Sequence, residues 1–283
     1  MSAELKTVLD GLAFPESPRW HGGALWFSDM HAHEVVSLAP DGSRRTAAAF
    51  DGPVSGLGWL PAGQMLVVSM TDKRVLRQEA DGAFVTHGDL SAVATGLAND
   101  MVIDAHGTAF VGNFGFSLHP METPRAAKLA RVKTDGAVSV AADELMFPNG
   151  MVITPDGGTL IVGESFARVL TAFDLARDGA LTNRRVWAAL PEGAAPDGIC
   201  LDSEGAIWVA SPTTSEVIRV RAGGAVLARV PTEQLAIACM LGGEDRRTLY
   251  VLTAESTDPE ACRTKRTARI QTMRVDAPGA GRP

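Results

Sequence analysis

The sequence lacks several features that define whole classes of protein. Nowhere does it contain a run of about 18 apolar residues, the length that a transmembrane helix requires, so we expect no membrane span. Residues 1–10 contain no basic segment followed by an apolar stretch, so no secretory signal peptide is predicted. There is no lysine or arginine run, and the formal net charge is −7. Neither nucleic acid nor a membrane surface is therefore an expected partner.

Cysteine is scarce as well. The chain has three cysteines, Cys200, Cys239 and Cys262, an odd number whose spacing is not that of metal ligands. A reducing cytoplasm is the compartment that fits them best. Helical periodicity is also missing over any long stretch, which argues against an α/β fold.

Glycine-containing turns, in contrast, occur at near-regular intervals. They are Asp41–Gly42, Asp81–Gly82, Asp135–Gly136, Asp178–Gly179 and Gly223–Gly224. Each lies between two apolar segments, and Asp-Gly in that position predicts a hairpin with a type I′ turn, because such a turn needs positive φ. Two further strands upstream of each turn give four strands per unit. A period of about 40–45 residues with four strands is typical of propeller blades.

Six such units are predicted. They begin near Pro15, Ser55, Asn99, Asn149, Asp197 and Ala238. The last unit lacks a fourth strand, and residues 5–9 can supply it, which would close the ring and remove two exposed strand edges. The predicted fold class is therefore all-β, a six-bladed β-propeller with four antiparallel strands per blade. We expect residues 1–283 to form one domain, with residues 276–283 as a tail.

Four oxygen-bearing side chains occupy one register of this repeat. They are Glu16, Asn99, Asn149 and Asp197, each followed about ten residues later by an apolar strand. Equivalent positions of a closed ring converge, so we expect the four to meet at the axis and form a hard-cation site. Two carboxylates would neutralise a divalent ion, and two amide oxygens would coordinate it without added charge. No histidine or cysteine falls in this register, so Zn²⁺ is less favoured than Ca²⁺.

A local explanation competes with this one. Asn149–Gly150 and Asp197–Gly198 are turn dipeptides, and each taken singly is more often backbone chemistry than a ligand. Glu16 and Asn99 are not followed by glycine, and four coincidences at one register favour the site.

Residues 114–127 form an insertion in the longest repeat. Long loops on a regular scaffold more often shape binding sites than serve the fold. Phe114, Phe116 and Met121 predict a lid over the central opening, whereas Pro120 and Pro124 are also compatible with a disordered excursion.

Several other polar residues are interpreted as part of the scaffold. The His31–Ala32–His33 segment is interpreted as a loop end, His119 as an exposed loop residue, and Arg263–Arg266 as a solvated outer loop.

Four motifs resemble those of the SMP-30/gluconolactonase/luciferin-regenerating-enzyme family. They are residues 15–20 (PESPRW), 99–100 (ND), 147–151 (FPNGM) and 196–202 (PDGICLD). The resemblance implies a six-bladed propeller whose axial divalent metal, Ca²⁺ in many members, is bound by the residues matching Glu16, Asn149 and Asp197. The residue matching Asn99 lies beside the metal and helps to hold the substrate or its water. Relatives of this kind also accept Mn²⁺, Zn²⁺, Mg²⁺ or Fe²⁺.

One departure from the family pattern bears on the substrate. Members that act on sugar lactones carry an arginine two positions before the residue matching Asn99, where this chain has Leu97. Without that donor fork, a substrate less polar than a simple sugar lactone is expected. The predicted substrate contacts are Asn99, Leu97, Met101, Phe114, Phe116 and Met121.

The predicted function is hydrolysis of a lactone or related cyclic ester. Asp197 would orient or deprotonate the attacking water, and Asn99 would hold a substrate oxygen. Two alternatives stay open: phosphotriester or fluorophosphate hydrolysis on the same ion, and a non-catalytic ligand-binding propeller with a structural metal. The expected partner is a small molecule, and the expected state is a monomer or a weak homo-oligomer.

Overall fold

The computed structural model describes residues 4–283, and in this range 24 strands form six four-stranded antiparallel sheets. The first strand of each sheet contacts the first strands of two neighbouring sheets, so the six sheets close into a ring. The fold is a six-bladed β-propeller, as predicted.

The blades have the following bounds. Blade 1 comprises β2 (Pro15–His21), β3 (Ala24–Asp29), β4 (Glu34–Leu38) and β5 (Arg44–Ala49). Blade 2 comprises β6 (Val54–Trp59), β7 (Met65–Ser69), β8 (Arg74–Gln78) and β9 (Phe84–Asp89). Blade 3 comprises β10 (Ala98–Ile103), β11 (Ala109–Asn113), β12 (Ala127–Val132) and β13 (Val138–Leu145). Blade 4 comprises β14 (Pro148–Ile153), β15 (Thr159–Glu164), β16 (Val169–Leu175) and β17 (Leu181–Ala189). Blade 5 comprises β18 (Ile199–Leu201), β19 (Ile207–Ser211), β20 (Glu216–Val220) and β21 (Val226–Pro231).

Blade 6 joins the two ends of the described chain. It contains β22 (Leu235–Gly242), β23 (Thr248–Ala254), β24 (Ala268–Arg274) and, paired with β24, the N-terminal strand β1 (Lys6–Leu12). This pairing confirms the predicted closure of the ring. It also gives β24 a neighbour on both sides, so its backbone groups are not left as a free edge.

Burial decreases from the axis outward. Every residue of β10 and β14 is buried, because these inner strands are enclosed by the rest of their blades and by the neighbouring blades. The outermost strand of blade 1, β5, has no buried residue. A polar side chain on an inner strand is therefore removed from solvent, and each such side chain requires either a partner or a function.

The hairpin turns differ in type from the prediction. In the first of them, Gly42 donates to the carbonyl of Ala39 and has φ of 86°, whereas Asp41 does not have positive φ. A type I′ turn needs positive φ at both central residues, so this is instead a type I turn followed by a left-handed glycine. The Asp41 side chain accepts from the Ser43 N–H at 2.9 Å, which explains why aspartate precedes the glycine.

Two segments outside the blades complete the fold. The short helix α1 (Pro259–Lys265) lies between β23 and β24, and the Asp258 side chain caps it by accepting from the Ala261 N–H. Residues 278–282 run across three blades through backbone hydrogen bonds to Arg246, Leu201 and Ile153. Within residues 4–283, no helix is both long enough and apolar enough to cross a membrane.

Candidate active site

The four side chains predicted to converge line one cavity of about 520 Å³. Glu16 comes from β2, Asn99 from β10, Asn149 from β14, and Asp197 from the segment just before β18. Glu16, Asn99 and Asn149 are buried, and Asp197 is partly accessible. Positions up to 181 residues apart thus meet at one end of the inner strands.

Irregular strand pairing accompanies three of these positions, those of Glu16, Asn99 and Asn149. The pairing register shifts between Glu16 and Arg19 in β2, between Ala98 and Met101 in β10, and between Pro148 and Met151 in β14. An extra residue in one strand bends it and redirects the side chains at that point. The shifts at these positions give the polar side chains an orientation that regular alternation along a strand would not.

Two glycines beside the site allow neighbouring strands to approach closely. A Cβ on Gly150 would lie 2.5 Å from the Asp197 carbonyl oxygen, and one on Gly198 would lie 2.5 Å from the Ala238 Cβ. Neither glycine has positive φ. Their place after Asn149 and Asp197 therefore reflects packing around the axis, so the turn explanation does not hold for either pair.

Hydrogen bonds connect the site across five blades. They run from Ser17 through Ser55, Asn99, Asn149 and Ser165 to the Pro196 carbonyl, with heavy-atom distances of 2.6–3.3 Å. Within this series of hydrogen bonds, the Asn99 Nδ2 donates to the Asn149 Oδ1 at 3.1 Å. Such a network holds the two amides in defined orientations.

The two carboxylates are electrostatically costly in this position. Burial, followed by the charges of Asp197 and Asp100, raises the pKa of Glu16 well above its ordinary value. Burial also raises the pKa of Asp197 to about 8, against the opposing effect of the Asn149 amide. The Oδ1 atom of Asp197 is buried and has no hydrogen-bond partner.

A divalent cation fits this arrangement. The guanidinium of Arg19 lies near the site but is paired with Asp100, at 2.6 Å. Among residues 4–283, no basic side chain forms an ion pair with Glu16 or Asp197, so neither carboxyl group has a neutralising partner. Buried charges are normally paired or bound to metal. Two carboxylate and two amide side chains are also the oxygen donors that a hard cation prefers.

Over the described range, no three His, Cys, Asp or Glu side chains converge closely enough to hold a metal ion. A cation here would therefore depend on amide oxygens in addition to the carboxylates of Glu16 and Asp197.

One wall of the cavity is apolar. Leu97, Phe114 and Phe147 line it, and the rings of Phe114 and Phe147 stack with centroids 4.4 Å apart. Phe116 is buried behind this wall, where it packs edge-on against Phe147 and Phe166. The aromatic cluster fixes the start of the insertion. Leu118 and His119, which follow in the same insertion, also border the cavity.

Three of the predicted substrate contacts do not border the cavity. Met101 is fully buried in the core beside Leu66 and Val111, because the register shift in β10 turns it away from the side that Asn99 faces. Phe116 supports the wall from behind, and Met121 is 61% exposed beyond it. Leu97 and Phe114 do line the cavity, so a substrate contact stays the prediction for them.

The cavity is also lined by residues that sequence reasoning assigned to the scaffold. His31, His33, His119 and Arg263 all line it. Arg263 lies on α1, so the interpretation of residues 263–266 as a solvated outer loop was wrong for this residue. The His-x-His spacing was visible in the sequence, but nothing in it indicated that α1 would pack against the turn at residues 30–32.

The fold and the cavity together define a class of protein: a six-bladed β-propeller with buried carboxylates and amides grouped where its inner strands meet. Comparison with known proteins agrees with this class. The sequence model of the SMP-30/Gluconolactonase/LRE-like region matches residues 14–255. The chain belongs to this family.

Named relatives span most of the chain. It is 32% identical over 278 residues to the pentonolactonase XacC of Haloferax volcanii, covering 95% of this chain and 92% of that protein. It is 27% identical over 255 residues to regucalcin of Sus scrofa, and the match covers 87% of this chain and 85% of that protein. Among solved structures, the calcium-binding protein regucalcin of Agrobacterium tumefaciens matches with a TM-score of 0.83 at 21% identity, covering 99% of this chain and 97% of that one.

Proposed function

We propose that the protein is a metal-dependent lactonase whose active site is the cavity lined by Glu16, Asn99, Asn149 and Asp197. The convergence of these four side chains in one cavity is the observation that carries the proposal. Membership of a family that includes gluconolactonases supports lactone hydrolysis, as does 32% identity to a pentonolactonase over nearly the whole chain.

Glu16, Asn149 and Asp197 are the residues that would hold the cation. When bound, a divalent ion at this position polarises the substrate carbonyl and lowers the pKa of a coordinated water. Ca²⁺ is the ion that this set of oxygen donors favours, and Mn²⁺, Mg²⁺, Zn²⁺ and Fe²⁺ are the alternatives to test.

The side chains of the site divide the remaining work. Asp197 has a buried Oδ1 with no hydrogen-bond partner. This oxygen would orient the attacking water and, where a bound cation keeps the carboxylate ionised, accept its proton. The Asn99 Nδ2 uses one N–H on Asn149, and its second N–H is available to a substrate oxygen. The wall of Leu97, Phe114 and Phe147 excludes water from the reacting bond.

This wall also bears on the substrate. Leu97 and the stacked rings of Phe114 and Phe147 offer apolar surface where a sugar lactone would need hydrogen-bond donors. We therefore propose that the ring and substituents of the natural lactone carry fewer hydroxyl groups than a simple aldonolactone.

An assay of matched substrates with and without chelator tests the function. We expect hydrolysis of alkyl-substituted γ- and δ-lactones, loss of the activity in EDTA and recovery with Ca²⁺. Saturation at 100 times the dissociation constant should also stabilise the fold by about 2.7 kcal/mol, measurable as a rise in melting temperature. Turnover of phosphotriesters in place of lactones would identify the alternative hydrolase. A melting shift without turnover of any ester would indicate a binding propeller with a structural ion.

A further inference from the structure

The cavity holds a second group of polar side chains, distinct from the four that surround the candidate metal position. It consists of His31, His33, His119 and Arg263, which we name the mouth cluster. His119 and Arg263 are exposed, whereas Glu16, Asn99 and Asn149 are buried, so the cluster lies at the outer end of the cavity. Its members come from blade 1, from the insertion and from α1.

The fixed charge of this cluster, that of Arg263, is opposite in sign to the net charge of the protein. The chain has a formal net charge of −7, yet the mouth cluster contains four residues of basic type. Apart from Glu16 and Asp197, the acidic residue that lines the same cavity is Asp51. Concentrating basic groups at the opening of an otherwise acidic protein favours the entry of an anion.

Arg263 retains hydrogen-bonding capacity. Its Nη2 donates to the Oε2 of Glu260 at 2.6 Å, and that glutamate is 75% exposed. A guanidinium has five N–H donors, and a solvent-exposed ion pair contributes little binding energy. The remaining donors can therefore bind a ligand in the cavity without loss of a buried interaction.

His31 adds a hydrogen-bond donor to the cluster without a positive charge. Burial, followed by the charges of Arg263, His33 and His119, lowers the pKa of His31 to about 4, with Asp258 acting in the opposite sense. His31 is therefore neutral near pH 7 and can offer one N–H. With a single guanidinium as its fixed charge, the mouth suits a singly charged carboxylate better than a doubly charged phosphate.

We propose that the substrate of this lactonase carries a carboxylate, which Arg263 binds with help from the imidazoles of the mouth cluster. The apolar wall would contact the body of the substrate, while the ester group lies against the four inner residues. The inference rests on the proposed lactonase function and adds a substrate class to it.

Matched substrates test the proposal kinetically. We compare a γ-lactone that bears a ring carboxylate with its primary amide, which has nearly the same shape and no charge. A charged hydrogen bond predicts a preference of about 10-fold to 100-fold in kcat/KM for the carboxylate. Arg263→Gln should remove this preference by raising KM for the carboxylate much more than KM for the amide.

Two variants serve as controls. Lys265→Gln removes one positive charge from the same helix at an exposed position that does not line the cavity, and it should keep the preference. Arg263→Lys keeps the positive charge but loses the paired N–H donors of the guanidinium, so it should show part of the preference that Arg263→Gln lacks. Equal kcat/KM for the two lactones in the wild type, or an equal loss for both in Arg263→Gln, would overturn the proposal. A lactone phosphate ester preferred over the carboxylate would overturn the choice of anion.

A binding measurement separates this proposal from the proposed function. Cyclopentanecarboxylate and cyclopentanecarboxamide have no ester to hydrolyse, and calorimetry can follow their binding whatever the activity of the protein. We expect the carboxylate to bind about 10-fold more tightly than the amide to the wild type and to Lys265→Gln, and equally to Arg263→Gln. A carboxylate affinity unaffected by Arg263→Gln would contradict the proposal, even if lactones are hydrolysed.

Discussion

Two polar clusters lie side by side in the inner strands, and they differ in how completely their groups are paired. In the first, the Arg19 guanidinium donates to the carbonyls of Leu57 and Pro18, each at 2.9 Å, to the Met101 carbonyl, and to Asp100 at 2.6 Å. In the second, Glu16 and Asp197 have no basic partner among residues 4–283, and one Asp197 oxygen has no hydrogen bond.

Strands β2 and β10 contribute to both clusters. Glu16 and Arg19 are three residues apart in β2, and Asn99 and Asp100 are adjacent in β10. Glu16 is as deeply buried as Arg19 and Asp100, so burial alone does not explain the difference in pairing, and we attribute it to a difference in role. A fully paired buried charge serves the fold, whereas an unpaired one is retained at a cost in stability and indicates a ligand or a reaction.

Breaking the paired cluster should have the largest effect on stability. Arg19→Met would leave Asp100 buried without its partner, so we expect a loss of about 3–5 kcal/mol in the free energy of unfolding. Urea denaturation measures this loss. Changing Asp100→Asn in the same chain should recover much of it, because the uncompensated charge is then gone. A loss below about 1 kcal/mol in the single variant would show that the pair is not structural.

Removing the unpaired carboxylate should have the opposite effect: a large loss of activity and no loss of stability. We expect Asp197→Asn to lower kcat by about 10²-fold to 10³-fold, as loss of a group that acts in the transition state does. The metal-free protein should be at least as stable as wild type, because a costly buried charge has been removed. Glu192→Gln removes a charge from an exposed position five residues earlier and should change neither quantity. Wild-type turnover in Asp197→Asn would refute its assignment.

The smallest expected effect concerns Gly150, which follows Asn149 in sequence and packs against the backbone at Asp197. In Gly150→Ala the new methyl group would lie 2.5 Å from the Asp197 carbonyl oxygen and 2.7 Å from the Ile199 nitrogen. We expect a destabilisation of about 1–3 kcal/mol together with reduced activity, because the segment that carries Asp197 and leads into β18 must move. Gly158→Ala is the control in the same blade, since its nearest neighbour would be Asp156 at 3.5 Å. Equal effects of the two substitutions would rule out a role for close approach at Gly150.

The repeat made much of this structure predictable. Turns at near-constant spacing predict blades, and a closed ring of blades brings equivalent positions together, so Glu16, Asn99, Asn149 and Asp197 could be grouped before any coordinates were known. The same pattern could not tell whether Gly150 and Gly198 mark turns or close packing. That distinction depends on strands from neighbouring blades.

Local irregularity limited the prediction of substrate contacts. Met101 was predicted as a substrate contact, and in a regular strand it would face the same side as Asn99, two residues earlier. The register shift between Ala98 and Met101 places Met101 in the core instead. Phe147, which does line the cavity, has φ of 63° at the turn before β14, a conformation that no pattern in its sequence indicates.

The amino-acid sequence by itself determined the number of blades, the closure of the ring by residues near the N-terminus and the identity of the four inner polar residues. Each of these follows from the spacing of residues along the chain, which can be read directly from the sequence. Only the tertiary structure decided which aromatic side chains face the cavity, and that Arg263 joins three histidines at its mouth. These depend on bulges and on contacts between segments more than 140 residues apart, where small rotations of the backbone choose which side chains meet.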